Sequence, residues 1–194
     1  MAKEIGKGSE AWAVVTKGKE IAAHDPRGDK PRGISYALGT CGGDHHEGTS
    51  PGGLGLLAMF NSSVMCSFVG LTHTAELPGA HVAMLNPLCG WNMTNDDWWT
   101  TAKRIMTIER AFQVREGISS KDDMLPTRFR KEPLPEGPKA GEIWTNEDTK
   151  KMHEAVYGYY GWDAKGVPTD ATLKNLGLDF MVTDMAEAKK KYKL

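Results

Sequence analysis

The chain opens with short apolar runs, Ala11-Trp12-Ala13-Val14-Val15-Thr16 followed by Lys17-Gly18-Lys19-Glu20-Ile21. Runs of this length split at a glycine predict a strand or small hairpin ahead of His24-Asp25-Pro26-Arg27-Gly28. After Pro31 a helix is expected over Ile34 to Leu38, where glycines soon end it. From Gly39 to Gly55 seven glycines surround Cys41, Asp44, His45, His46 and Glu47, which reads as a loop. Leu54 to Leu71 is mostly apolar and fits one buried helix carrying Cys66, or two strands of the same total length. Thr94 before Asn95-Asp96-Asp97 has the form of an N-cap with acids in the first turn, and Trp98, Ala102, Ile105, Met106 and Ile108 continue at helical spacing towards a stop at Gly117. Pro126, Pro133, Pro135 and Pro138 predict an extended surface connector over Met124 to Gly141. Thr145, with Asp148 three residues on, predicts a second capped helix through Met152, Val156 and Tyr159. A short third helix is expected after Thr169, ending at Gly177, with Thr183 as the cap of a terminal one. The chain is therefore expected to be mainly α, an irregular helical domain with a small β element near its N-terminus. The expected division is 1–60, hairpin and glycine-rich loop, and 61–194, helical.

Composition narrows the picture. With 194 residues and 40% hydrophobic side chains, one compact unit is the expectation. The 24 basic and 25 acidic residues nearly cancel, which leaves no electrostatic footprint for nucleic acid. No run approaches the roughly 18 apolar residues of a membrane span, and the first residues lack a signal-peptide core, so a cytoplasmic protein is expected. Three widely spaced cysteines without a C-x-x-C pair argue against a disulfide framework and cannot by themselves make a zinc or iron-sulfur site. Ten Met and six Trp suit a large buried interface as well as a core.

Two places carry candidate chemistry. His45-His46 in the glycine-rich loop reads either as a turn with two solvated imidazoles or as a site where backbone approaches a ligand and a histidine donates to it, moves a proton or binds metal. Cys66, a lone cysteine in an apolar run, reads from its own surroundings as a buried small hydrophobe. Cys41 reads as structural and Cys89 as core. Glu109-Arg110 with Arg115-Glu116 reads as an ion-pair network fixing a helix end.

The order of several blocks gives these residues a context. Gly90-Trp91-Asn92-Met93-Thr94, Glu109-Arg110-Ala111-Phe112-Gln113-Val114-Arg115-Glu116-Gly117, Asp122-Asp123-Met124-Leu125-Pro126-Thr127-Arg128, Tyr159-Tyr160-Gly161-Trp162-Asp163 through Pro168-Thr169, and Leu173-Lys174-Asn175-Leu176-Gly177-Leu178 follow one another. The series resembles the C-terminal region of the tungsten-containing aldehyde:ferredoxin oxidoreductase family, including its aromatic acyl-CoA reductase branch. The resemblance implies part of a larger multidomain oxidoreductase with a tungsten (or molybdenum) bis-pyranopterin and a 4Fe-4S cluster, both shared with residues outside this chain. It implies that Asp25-Pro26-Arg27 leads into the histidine loop and that His45 or His46 stands beside the metal. It aligns Asn61-Ser62-Ser63-Val64-Met65-Cys66 with a D-x-x-G-L-C pattern, so Cys66 becomes the fourth cluster ligand and Asn61, Ser62, Val64 and Met65 the pterin contact. Asparagine replaces the pattern's aspartate, valine its glycine and methionine its leucine.

The family's C-x-x-C-x-x-x-C run, which supplies the other cluster ligands, is absent from these residues. The chain is accordingly expected to work with a larger chain carrying those ligands and the N-terminal pterin domain, or to be a relic kept for scaffolding. By resemblance the partners are ferredoxin or an iron-sulfur subunit and a small aldehyde or acyl substrate, and the reaction is aldehyde oxidation to a carboxylic acid. The alternatives are aromatic acyl-CoA reduction and a non-catalytic structural subunit.

Overall fold

A computed structural model describes residues 2–71 and 77–194. After a helical turn, α1 (Ala2–Ile5), the expected hairpin forms from β1 (Val15–Thr16) and β2 (Lys19–Glu20), antiparallel with Thr16 opposite Lys19. Its two-residue turn places Lys17 at φ 52° and Gly18 at φ 81°. Two positive φ angles match the twist of the flanking strands, and Lys17 adopts one although it is not glycine. Helix α2 (Arg32–Leu38) is buried along Gly33, Ser35, Tyr36, Ala37 and Leu38.

The apolar stretch after the loop is neither one helix nor two strands. Helix α3 (Pro51–Ser62) starts where Ser50 Oγ accepts from the Gly53 amide at 3.0 Å, with Pro51 in the first turn, so the glycines from Gly52 belong to helix rather than loop. It stops at a left-handed residue, Val64 at φ 57°. The Met65 amide donates to the Phe60 carbonyl (2.9 Å) and the Val64 amide to that of Asn61 (3.2 Å), a hydrogen-bonded helix terminus that usually calls for glycine. Helix α4 (Ser67–Leu71) then begins, with the Cys66 carbonyl accepting from the Gly70 amide.

Helix α5 (Gly79–Cys89) was not expected, because Gly79, Pro87 and Gly90 read as loop signals and its buried residues are confined to His81, Val82 and Leu85. The long α6 (Asn95–Arg115) follows its expected N-cap Thr94, which forms a capping box with Asp97. The proline-rich connector contains a further element, α7 (Thr127–Lys131), whose Phe129 is buried together with Leu125. Helix α8 (Asn146–Tyr160) again has the expected capping box, from Thr145 and Asp148. Short α9 (Asp170–Asn175) leads to α10 (Val182–Tyr192), in which Thr183 is an internal residue and Met181, not Thr183, holds the capping position.

Among the described residues the element order is thus mainly α with one two-stranded sheet, as the sequence implies. Helix α6 runs past three apolar clusters of these residues. Met106 joins Tyr36, Leu54, Phe129, Trp144 and Tyr160; Ala111 and Val114 join Leu173, Leu178 and Met185; Trp98 and Ala102 join Met59 and Val82. Among the described residues no helix is long and apolar enough to cross a membrane.

Candidate functional site

The histidine loop rests on a buried charge network. Asp123 accepts from both ends of the Arg110 guanidinium (3.0 and 2.7 Å), from the Tyr157 hydroxyl (2.6 Å) and from the Lys17 ammonium (2.8 Å). Burial favours the neutral acid, but the charges and hydrogen bonds of Lys17 and Arg110 outweigh it and hold Asp123 below the usual carboxylate range. Burial lowers the Lys17 pKa, and Asp123 opposes that shift. Arg110 Nε donates to the Gly166 carbonyl at 2.6 Å. Gly166 has φ 74°, and a Cβ there would overlap Arg110, so both backbone angle and space require glycine. Three of the sequence blocks, those holding Arg110, Asp123 and Gly166, meet in this network. It corrects the expected pairing: Arg110 is bound to Asp123, Glu109 accepts from the Thr40 hydroxyl (2.6 Å), and Arg115–Glu116 is an exposed 3.3 Å contact.

From this base the network reaches the loop. Gln113 Nε2 donates to the Thr40 carbonyl at 2.7 Å, and Lys17 Nζ lies 3.3 Å from that of Gly39. Gly42 and Gly43, with φ 63° and 61°, lie on the hairpin so closely that a Cβ would stand 2.8 Å from the Thr16 carbonyl oxygen or 2.7 Å from that of Glu20. Asp44 pairs with Lys19 (2.9 Å) and accepts from the His46 amide, while Ser35 Oγ lies 2.6 and 2.8 Å from the Asp44 and Glu47 carbonyls. Arg32 donates to the His45 carbonyl at 3.0 Å. The loop is held at both ends and from beneath.

Its imidazoles form a row. The His45 ring centre lies 4.0 Å from that of His46 and 5.0 Å from that of His24, and His46 meets the edge of Phe68 at 5.7 Å. A cavity of about 520 Å³ is lined by these rings with Arg32, Glu47, Leu56, Leu57 and Ser67. Burial first, then the neighbouring charges of His46 and His24, depress the His45 pKa. Burial and the nearby Glu109 push the Glu47 carboxyl up. His45 is therefore a neutral base at neutral pH, beside an acid that holds its proton more tightly than a free carboxyl.

The structure brings the two histidines together with the residues immediately after Cys66, and separates them from part of the aligned pterin segment. Ser62 and Val64 line a different cavity of about 330 Å³, with Cys89 and Trp91, and Met65 lines a third with His81. Asn61, Ser62 and Val64 are exposed, Val64 to 93%. Cys66 is exposed, not the buried hydrophobe that its apolar surroundings suggest, and Cys41 and Cys89 are exposed too, which overturns the core assignment of Cys89. Among the described residues no group of three His, Cys, Asp or Glu side chains could hold a metal ion. A cavity of about 560 Å³ along α8 contains none of the predicted site residues, and its Tyr157 is committed to Asp123.

The sequence reading passed over His24, Arg32 and Phe68. The first two flank Asp25-Pro26-Arg27 and Pro31, but only the packing of α2, loop and α4 brings them to one cavity.

Comparison with known proteins gives the family of the chain. Residues 1–52 and 54–178 match the family model described as aldehyde ferredoxin oxidoreductase, domains 2 and 3. The chain is 31% identical over 189 residues to a tungsten-containing aldehyde ferredoxin oxidoreductase of Pyrococcus horikoshii, covering 84% of this chain and 30% of that protein. It is 32% identical over 196 residues to the aliphatic sulfonate oxidoreductase WOR-like subunit of Pyrococcus furiosus, covering 94% and 31%. A solved structure, the active site complex BamBC of benzoyl coenzyme A reductase with 1,5-dienoyl-CoA, is similar at 25% identity and TM-score 0.45 over 59% of this chain and 15% of that one. The chain spans about a third of the length of the curated relatives it matches.

Proposed function

The chain belongs to the aldehyde ferredoxin oxidoreductase family, and on that premise we propose that it forms the histidine-bearing wall of a tungsten-dependent oxidoreductase, as its C-terminal part or as a separate subunit. The reaction proposed is oxidation of an aldehyde to a carboxylic acid with ferredoxin as electron acceptor. The observation that carries this reading is the shared cavity: the His45–His46 pair and the Ser67-Phe68 segment, which directly follows Cys66, come from separate parts of the sequence and line one space.

When bound, the tungsten pterin and its iron-sulfur cluster would take up the two electrons of the oxidation. The residues of this chain supply the rest. Adding water to an aldehyde and removing two electrons releases two protons, and neutral His45 is placed to accept one of them at an imidazole nitrogen, with His46 beside it. The Asp44 and Ser35 contacts hold the loop backbone on either side of His45. Leu56, Leu57 and Phe68 give the cavity an apolar side. Cys66, exposed at the start of α4, offers one thiolate to a cluster whose other ligands lie outside these residues. Asn61, Ser62, Val64 and Met65, which lie outside the histidine cavity, would face one pterin, and the wall draws on both 1–60 and 61–194, because α3 crosses that boundary and Phe68 lines the cavity.

Metal analysis of the protein purified with its native partner tests this reading. Tungsten together with about four irons supports it. Their absence from an intact assembly would establish a structural subunit that keeps the family fold without the chemistry.

A further inference from the structure

Helix α6 carries two apolar stripes. Trp98, Ala102, Met106, Ala111 and Val114 face the clusters described above. Along another side Thr101, Ile105, Ile108 and Phe112 recur at i, i+4, i+7 and i+11, the spacing of a coiled-coil seam. Ile108 is 39% exposed and Phe112 54%. A second helix laid along this seam would bury apolar area that now meets water.

The two ends of the exposed stripe differ in shape and in charge. Towards the C-terminus Phe112 projects from the surface, with the Arg115 guanidinium 5.1 Å from its ring centre. Towards the N-terminus Thr101 and Ile105 form one wall of the cavity of about 330 Å³ that Met59, Val64, Leu85 and Trp91 complete. One end is a knob and the other a hole, eleven residues or about 16 Å apart along the helix. Exposed Asp97 lies one turn before Thr101. Arg115 lies just beyond Phe112, with only exposed contacts to Glu116 (3.3 Å) and Asp184 (3.7 Å).

A two-fold axis passing between Ile105 and Ile108 turns these differences into a match. It sets two copies of α6 antiparallel, with Ile105 of each against Ile108 of the other and Phe112 of each opposite Thr101 of the other, at the mouth of the cavity. Asp97 of one copy then lies beside Arg115 of the second copy. A contact of this kind closes on itself, two knobs in two holes. A parallel pair would set Phe112 against Phe112 and leave both cavities unfilled. One element opposes the contact: Arg104, exposed and near the axis, comes to the same side as Arg104 of the second copy.

We infer that the outer face of α6 binds a second copy of this chain, as an antiparallel two-fold dimer in which Phe112 of each copy fills the cavity between α3, α5 and α6 of the other. The dimer does not depend on the proposed function. One consequence does rest on it: Ser62 and Val64, proposed above to face a pterin, line the same cavity, so the dimer and a cofactor-loaded assembly exclude each other.

Sedimentation equilibrium of the full 194-residue chain measures the contact, with reductant present so that the three exposed thiols do not cross-link. A monomer–dimer equilibrium with a midpoint below about 100 µM is expected. Phe112→Ala removes the knob and Thr101→Trp blocks the hole, and each should weaken dimerisation at least about tenfold, because symmetry removes two contacts at once. Neither position is buried, so both variants should keep the circular dichroism and melting of the parent. An equimolar mixture of the two should associate more tightly than either alone, since the knob of one still fits the hole of the other. Arg104→Gln should tighten the dimer, which a loss of fold would not do. A monomer at about 100 µM, open-ended polymers in place of a dimer, or a dimer indifferent to Phe112→Ala and Thr101→Trp overturns the inference, and so does a mixture no tighter than its components. None of these results bears on the metal content of the native assembly, which tests the proposed function separately.

Discussion

Arg110 and Asp123 face each other as a buried bidentate pair, at 3.0 and 2.7 Å, and each is tied to a different end of the molecule. Asp123 holds Lys17 of the N-terminal hairpin, and Arg110 holds the Gly166 carbonyl beyond α8. Removing the anion strands two buried cations. Asp123→Asn is expected to cost about 3–5 kcal/mol, the usual result of breaking a buried pair from one side. Tyr157→Phe, which deletes one hydrogen bond to the same carboxylate, should cost about 1.5–3 kcal/mol. Denaturant midpoints rank the two, and an Asp123→Asn protein as stable as Tyr157→Phe would show that the cations find other partners.

Val64 occupies the left-handed position that ends α3, with its side chain 93% exposed. A β-branched residue there carries strain and little compensating burial, and the family pattern has glycine at this place. Val64→Gly should therefore raise stability by about 1 kcal/mol, since relief of the left-handed strain exceeds the added freedom of the unfolded chain. Thermal unfolding of the two proteins decides the sign.

His81 is fixed in one tautomer by its neighbours. The Trp98 indole can only donate, so His81 Nδ1 accepts at 3.0 Å, and the proton on Nε2 points to Ser63 Oγ, also 3.0 Å away. Burial lowers its pKa below the unfolded value. The unfolded state then binds the proton more readily, so the contribution of this site is complete above about pH 6.5 and is lost as pH falls through the folded pKa. His81→Gln should flatten stability against pH in that window, and an unchanged slope would mean that another group titrates there.

On the proposed function, His45→Ala and His46→Ala should differ in the assembled protein. The ring that accepts the proton is expected to lose roughly 10²–10⁴ in turnover with metal content intact, and its neighbour to lose little. Full activity in both would leave the loop with a binding role.

Cys66→Ser should alter or abolish the electron paramagnetic resonance signal of the reduced cluster, because an oxygen replaces a soft thiolate. Cys41→Ser and Cys89→Ser are matched controls, since all three thiols are exposed. An unchanged Cys66→Ser spectrum would assign the fourth ligand elsewhere.

What could be read from the sequence follows the range of the forces involved. The N-caps of α6 and α8 at Thr94 and Thr145 are local, written within a few residues, and they formed where expected, as did a small hairpin among the N-terminal apolar runs. Helix α5 was obscured because its glycines and proline resemble loop and few of its side chains are buried. Lys17 gave no local sign that it would reach Asp123, and Cys66 none of its exposure, because both depend on packing between distant segments. The histidine pair was legible as chemistry, but its third ring and Arg32 come from outside the loop.

The grip of Gln113 and Lys17 on the histidine loop, backed by Arg110 through Gln113 and Asp123, sets the order in which that loop can take shape during synthesis. His45 and His46 are synthesised before Asp123, Tyr157 and Gly166, on which their footing depends. A nascent chain ending before Gly166 would carry both histidines without the support that aligns them, so a truncation far from the cavity would silence it as surely as deleting the histidines.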